Sequence, residues 1–156
     1  HHVSGRLKVA PEHTNSEVLN LMRKPSFDQF IAFEQLFRQF NQAAGLNQQL
    51  IPYFISSHPG CTATHMADLA ITTKKMRFQL EQVQDFTPTP MTLSTEMYYT
   101  GYHPYTLQKI TTAKTLQQKN EQRNFFFWYK PENKAAIVRY LKQIGRPDLI
   151  TKIYPR

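Results

Sequence analysis

Three apolar segments of this chain each end in a proline-bearing polar corner and then run into a helical pattern or a loop. They are Leu7–His13 (LKVAPEH), Leu50–Gly60 (LIPYFISSHPG) and Gln82–Pro90 (QVQDFTPTP). Strand-then-helix repetition of this kind writes parallel α/β sheets and barrels. In such folds ligands sit at the carboxyl ends of the strands, where these corners stand. The expected class is therefore α/β, with its chemistry at the corners.

The stretches between the corners predict helices. Thr14 and Glu17 have the spacing of a capping box, ahead of a short helix through Met22 that Pro25 stops. Ser26 with Gln29 opens the next. Its Phe30, Phe33, Phe37, Phe40 and Ala44 fall three and four apart, which predicts one core-facing stripe ended by Gly45. The second strand is nearly continuous in apolar residues, as a strand covered on both faces would be. Pro52 should mark a bulge in it, or the place where it lacks a neighbour. Thr62 predicts the cap of a helix with Met66, Leu69, Ala70 and Thr73 inward, ending near Arg77. A third strand spans about Gln82 to Phe86.

Near residue 91 the pattern changes. Residues 1–90 alternate strand and helix, whereas 91–156 read as a loop and an all-helical appendage. Pro88 to Thr115 has no clean periodicity, and long loops in compact domains are usually functional or packed against another part of the protein. A helix from Thr115 is expected to carry the aromatic run Phe125–Tyr129 and to be broken by Pro131. Asn133 then caps a last amphipathic helix with Ile137, Val138, Leu141 and Ile144 inward, before Gly145 and a short turn over Asp148–Tyr154. Five adjacent aromatics surround a helix, so the final helix should cover one side of them and the strand-bearing half the other.

The chain carries 19 Lys+Arg against 11 Asp+Glu, a formal charge of +8. Such a balance suits RNA or an acidic protein as partner, or a solvated surface facing the rest of a larger polypeptide. A single cysteine, Cys61, excludes an internal disulfide framework and a self-contained cysteine metal site, and favours a cytoplasmic protein. No apolar run approaches the ~20 residues that cross a bilayer, so no membrane partner is expected. His1-His2 precede the first strand without an initiator methionine. Either they are a tag remnant or the sequence is a piece of a longer protein, which the naked first strand favours.

Read as text, the segments Gly5–His13, Val18–Pro25, Leu50–Gly60, Glu81–Phe86 and Leu93–Gly101 (LSTEMYYTG) closely resemble radical S-adenosylmethionine proteins of the YgiQ type. The resemblance spans essentially the whole chain. It implies the C-terminal half of a partial (βα) radical SAM barrel, followed by that family's small helical C-terminal domain. It also implies a partner, the N-terminal part of the same protein, which would carry three closely spaced cysteines, a 4Fe-4S cluster and the bound S-adenosylmethionine. This chain lacks the cysteine triplet, so alone it is expected to be inactive, and its substrate is unknown. The alternative is a non-catalytic interaction module with a basic surface.

Five residues are candidates for binding the cofactor. Glu12 ends the first strand where the resemblance places a polar residue near the ribose, and a carboxylate there could accept from both hydroxyls; it could equally be a helix N-terminal acid. Arg23 and Lys24 follow the short helix, where a basic residue would approach the methionyl carboxylate, or would merely neutralise a helix end. His58 and Gly60 belong to the turn after the second strand, where glycine lets a backbone approach a ligand, or simply makes a tight turn. Cys61 beside His58 and His65 invites a nucleophile reading, which would need a base in reach and a lowered pKa. The six histidines show no metal-binding spacing.

Overall fold

A computed structural model describes residues 5–155 of the chain; the origin of His1-His2 lies outside the described residues. The first half alternates as expected: β1 (Arg6–Glu12), α1 (Ser16–Leu21), α2 (Phe27–Ala43), β2 (Gln49–Ser56), α3 (Ala63–Lys75) and β3 (Gln82–Asp85). The second half is α4 (Leu93–Thr100), α5 (Leu116–Arg123), a 3-10 turn (Asn124–Phe127), α6 (Pro131–Gln143) and α7 (Asp148–Ile153).

The three strands form one parallel sheet in the order β1-β2-β3. Consecutive strands joined by helical crossovers usually lie side by side in this way. Pro52 accounts for two irregularities. From Val9↔Pro52 to Glu12↔Phe54, β1 advances three residues while β2 advances two, so β1 is bulged opposite the proline. Pairing with β3 begins only at Tyr53, one residue later. The missing N–H thus falls where it costs little. Alternation puts Phe54 on the helix-covered face, where it is fully buried. Tyr53 lies on the other face and its hydroxyl meets the Gln84 side chain there.

Several local expectations change. The cap of α1 is Asn15, whose Oδ1 accepts from the backbone of Glu17 and Val18, and not Thr14. Only the start of the phenylalanine stripe is core. Phe27 and Phe30 are buried and stacked at 5.2 Å, whereas Phe33 is 39% and Phe40 71% exposed. Helix α2 is 17 residues long and its later turns are left largely exposed, so periodicity marked the face without fixing how much of it is covered. The supposed loop after Pro88 contains α4, capped by Thr92 and closed by Gly101 in the left-handed region at φ 75°. The aromatic run is not on a continuous helix, since α5 tightens into the 3-10 turn after Arg123. Pro131 starts α6 instead of breaking a helix, as proline can at a first position. Asn133 sits inside α6 and donates its side-chain N–H to the Phe127 carbonyl at 3.1 Å. Ile144 lies at the C-cap of α6 and is exposed.

A single apolar core joins the two halves. Phe54, Met66 and Leu69 belong to the same cluster as Phe125, Phe126, Ile137, Leu141, Leu149 and Ile153. Polar contacts bridge them as well: the Tyr129 hydroxyl donates to the Leu80 carbonyl at 3.2 Å, and Lys74 Nζ to the Ile153 carbonyl at 2.5 Å. The aromatic segment is thus covered on one side by α6 and on another by α3. Replacing a buried large aromatic with alanine usually costs about 3–5 kcal/mol. Phe126→Ala should therefore lower the stability of the whole chain by about that amount, in one urea transition common to Trp128 fluorescence and far-ultraviolet dichroism. Two separated transitions would show that the C-terminal helices fold independently.

Candidate functional site

At the carboxyl ends of the strands the backbone turns sharply. Glu12, the last residue of β1, and Ser57, the first after β2, both adopt left-handed conformations, at φ 66° and 61°. Non-glycine residues are costly there and cluster at functional sites. The corners frame a cavity of about 310 Å³ whose lining includes Glu12, Lys24, His58, Gln84, Phe86 and Ser94.

Lys24 reaches this cavity because α1 ends in a paired C-terminal motif. The Arg23 N–H donates to the Asn20 carbonyl and the Lys24 N–H to the Leu19 carbonyl, with Arg23 in the left-handed region at φ 55°. The turn brings Lys24 Nζ to 3.5 Å from Glu12 Oε1. Glu12 Oε2 is buried and has no hydrogen-bond donor among the described residues. Burial raises the pKa of this carboxyl, and the Lys24 ammonium opposes the rise. Arg23 goes elsewhere. Its guanidinium lies 5.8 Å over the Tyr105 ring, in a separate cleft shared with Glu96 and Tyr99.

His58 is buried, and its ring is fixed at both nitrogens. Nδ1 lies 2.8 Å from the Pro59 carbonyl and Nε2 2.8 Å from Ser94 Oγ. A carbonyl can only accept, so Nδ1 carries the proton and Nε2 accepts from the serine hydroxyl. Phe86 stands edge-on to the ring at 5.1 Å. Burial lowers the His58 pKa to about 4, leaving a neutral imidazole.

Gly60 does not line the cavity. It adopts φ +84°, a Cβ there would lie 2.3 Å from Leu21 Cδ1, and its N–H donates to the Thr111 carbonyl at 2.8 Å. The glycine makes the turn and admits the Leu21 side chain. Asp85 shares the rim with Glu12 and His58 but accepts from Ser56 Oγ at 2.5 Å and from Arg123 Nη1 at 3.1 Å.

Next to Glu12 in the chain, His13 Nδ1 accepts from the Asn15 N–H at 3.0 Å, and Nε2 lies 3.5 Å from Cys61 Sγ. Both residues are fully buried. Desolvation pushes the histidine down to about 3 and the thiol up to about 12, so the pair is neutral and Cys61 is not an activated nucleophile. His65 completes the Thr62 capping box and approaches Glu17 at 3.6 Å. Among the described residues no group of three or more His, Cys, Asp or Glu side chains could hold a metal ion. No described helix is long and apolar enough to cross a membrane.

The structure thus brings Glu12, Lys24 and His58 together and sets Arg23 and Gly60 apart. Sequence reasoning missed Ser94 and Gln84. Ser94 could have been found from the Thr92 cap and the Gly101 stop, which bracket a helix ending beside the third strand.

Two predictions follow from the buried groups. The unfolded chain protonates His13 and His58 near 6.5, whereas the folded chain holds them neutral down to about 3 and about 4. Their contribution is present above 6.5 and is lost as pH falls, so the urea midpoint should drop on acidification, less steeply in His13→Asn. Glu12 has the opposite sign. Its raised pKa favours the neutral form, giving stability below the unfolded carboxyl's ordinary 4.5 that disappears as pH rises through the folded value. Glu12→Gln should accordingly raise the midpoint at neutral pH. Separately, Gly60→Ala should cost about 1–2 kcal/mol for the backbone alone. Leu21→Ala added to it should recover part of any further loss, and strict additivity of the two would count against the Leu21 contact.

Residues 81–153 match a family described as "Domain of unknown function (DUF3362)". A UPF0313 protein of Porphyromonas gingivalis is 66% identical over 155 residues, covering 99% of this chain and 24% of the relative. One of Bacteroides thetaiotaomicron is 61% identical, covering 98% and 25%, and one of Methanocella arvoryzae 46% identical, covering 95% and 25%. No solved structure matches the chain. The chain therefore spans about a quarter of the length of the UPF0313 proteins it matches, and it is similar to them across nearly all of its own residues.

Proposed function

We propose that this chain is the C-terminal part of a radical S-adenosylmethionine enzyme of the YgiQ type, supplying the later strands of a partial barrel and one wall of its cofactor pocket. The observation that carries the reading is the cavity at the carboxyl ends of three parallel strands, with the buried Glu12 Oε2 lacking a donor among the described residues. A buried acceptor without a partner is costly, and a ligand offering hydroxyl donors would satisfy it. The ribose of S-adenosylmethionine offers two. Lys24 is the basic residue in the same cavity and suits the methionyl carboxylate; Arg23 does not line it. His58 and Ser94 add a neutral, preorganised wall.

The sheet supports the same reading. Parallel sheets are ordinarily covered on both faces, yet Tyr53 and Gln84 lie on a face that no described helix buries, and β1 is an edge strand. Closure into a barrel with earlier strands would cover both.

The cluster ligands would come from another stretch of the polypeptide, since Cys61 is the single cysteine here and its thiol is closed off. When bound, the cluster and S-adenosylmethionine would supply reductive cleavage of the sulfonium to an organic radical. Glu12, Lys24, His58 and Ser94 would hold and orient the cofactor.

The test uses the full-length protein reconstituted with iron and sulfide and then reduced, with 5′-deoxyadenosine release as the readout. Glu12→Ala should weaken S-adenosylmethionine binding by roughly tenfold or more, the ~1.5–3 kcal/mol of a hydrogen bond to a charged group. Absence of cluster and cleavage in the wild-type protein would overturn the reading, and an unchanged affinity would remove Glu12 from the site.

A further inference from the structure

The turn that carries His58 is gripped from outside by one side chain of the C-terminal helices. Gln122, on α5, is buried and bonds to both ends of the segment 57–61. The Ser57 N–H donates to Gln122 Oε1 at 2.8 Å, and Gln122 Nε2–H donates to the Cys61 carbonyl at 3.0 Å. Only one orientation of the amide satisfies both partners. Between these anchors the Cys61 N–H donates to the His58 carbonyl at 2.8 Å, closing the turn around the imidazole. The strain sits in the same place, with Ser57 in the left-handed region. Such a conformation persists only where its surroundings over-determine it.

The neighbouring contacts of α5 reach the same rim. Arg123 Nη1 lies 3.1 Å from Asp85 Oδ2, and Asp85 Oδ1 accepts from Ser56, the last residue of β2. Lys119 stands 5.5 Å over the Tyr98 ring and 3.5 Å from the Phe86 carbonyl. Ser94, on α4, fixes His58 Nε2 directly. One helix thus ties the ends of β2 and β3 together, while the next wall of the cavity is bonded to the histidine.

We propose that Gln122 is a positioning residue for the cavity: through the Ser57 N–H and the Cys61 carbonyl it holds the turn in which His58 keeps a single ring tautomer, with Nε2 presented to Ser94. The C-terminal helical region would then shape the wall of the cavity at the sheet, and not simply pad its core. This role is independent of which cofactor or substrate enters the cavity.

Nitrogen–proton correlation spectra of the imidazoles in the isotope-labelled chain test it, with the His58 signal assigned from a His58→Gln variant and no cofactor added. In the unsubstituted chain His58 should show well-separated ring-nitrogen shifts, with the proton on Nδ1. Gln122→Met keeps the length of the side chain and removes both hydrogen bonds; it should collapse that separation. Ile153→Ala, a buried substitution in α7, should lower the melting temperature while leaving the His58 tautomer intact. If Gln122→Met does not fold, Gln122→Asn, one methylene short, is read in the same way. A retained tautomer in the Gln122 variant, or equal loss in Ile153→Ala, would overturn the proposal. A failure of S-adenosylmethionine cleavage would leave it standing.

Discussion

Helix α3 is the element on which both halves of the molecule depend. Met66, Leu69, Ala70 and Thr73 are all buried on it, and the same core cluster holds Phe54 of the sheet and Phe125, Phe126 and Ile153 of the C-terminal region. Each large apolar side chain removed from water contributes about 1.5–3 kcal/mol, so neither half could give up this helix without exposing a substantial part of its own core. Thr73 belongs there because its hydroxyl is satisfied within the helix, donating to the Leu69 carbonyl at 3.0 Å. Thr62 caps the helix just after the His58 turn, so the element that organises the core also anchors the wall of the cavity.

The cavity and the buried residues next to it in the chain are groups held neutral or incompletely paired. His58 and His13 are uncharged through burial, and Cys61 is a closed thiol. Glu12 has one oxygen near Lys24 and the other without a donor among the described residues. Burying a carboxylate oxygen is unfavourable unless it is met by donors, so Glu12 is the least satisfied group of the rim. The same geometry separates roles that adjacency in the sequence confuses. Lys24 turns toward the carboxylate, whereas Arg23 turns away to stack on Tyr105.

The contacts of the C-terminal region explain why it belongs to the same folded body. A padding domain would need only apolar burial. Instead Gln122, Arg123 and Ser94 place hydrogen bonds at three successive points along the rim, on Ser57, Asp85 and His58. Hydrogen bonds of this kind are directional, so they specify positions where hydrophobic burial alone specifies only proximity.

By itself the sequence determined the three strands, their parallel neighbour order, most of the helix punctuation and the buried face of α3. Glu12, Lys24 and His58 were marked, together with Arg23 and Gly60, by the resemblance of their segments to a known family, whereas strands, caps and helix ends are written in the residues themselves. These are local signals: alternation, capping and the fixed φ of proline act within a few residues of one another. Only the tertiary structure decided how much of the α2 stripe is covered, since burial depends on what the helix meets beyond Phe30. Only it separated Arg23 from Lys24, through a left-handed residue at the end of α1. The Gln122 grip on a turn more than sixty residues earlier in the chain was likewise illegible. A glutamine on a polar helix carries no mark of its partners, because a hydrogen bond between distant segments exists only after the core has brought them together.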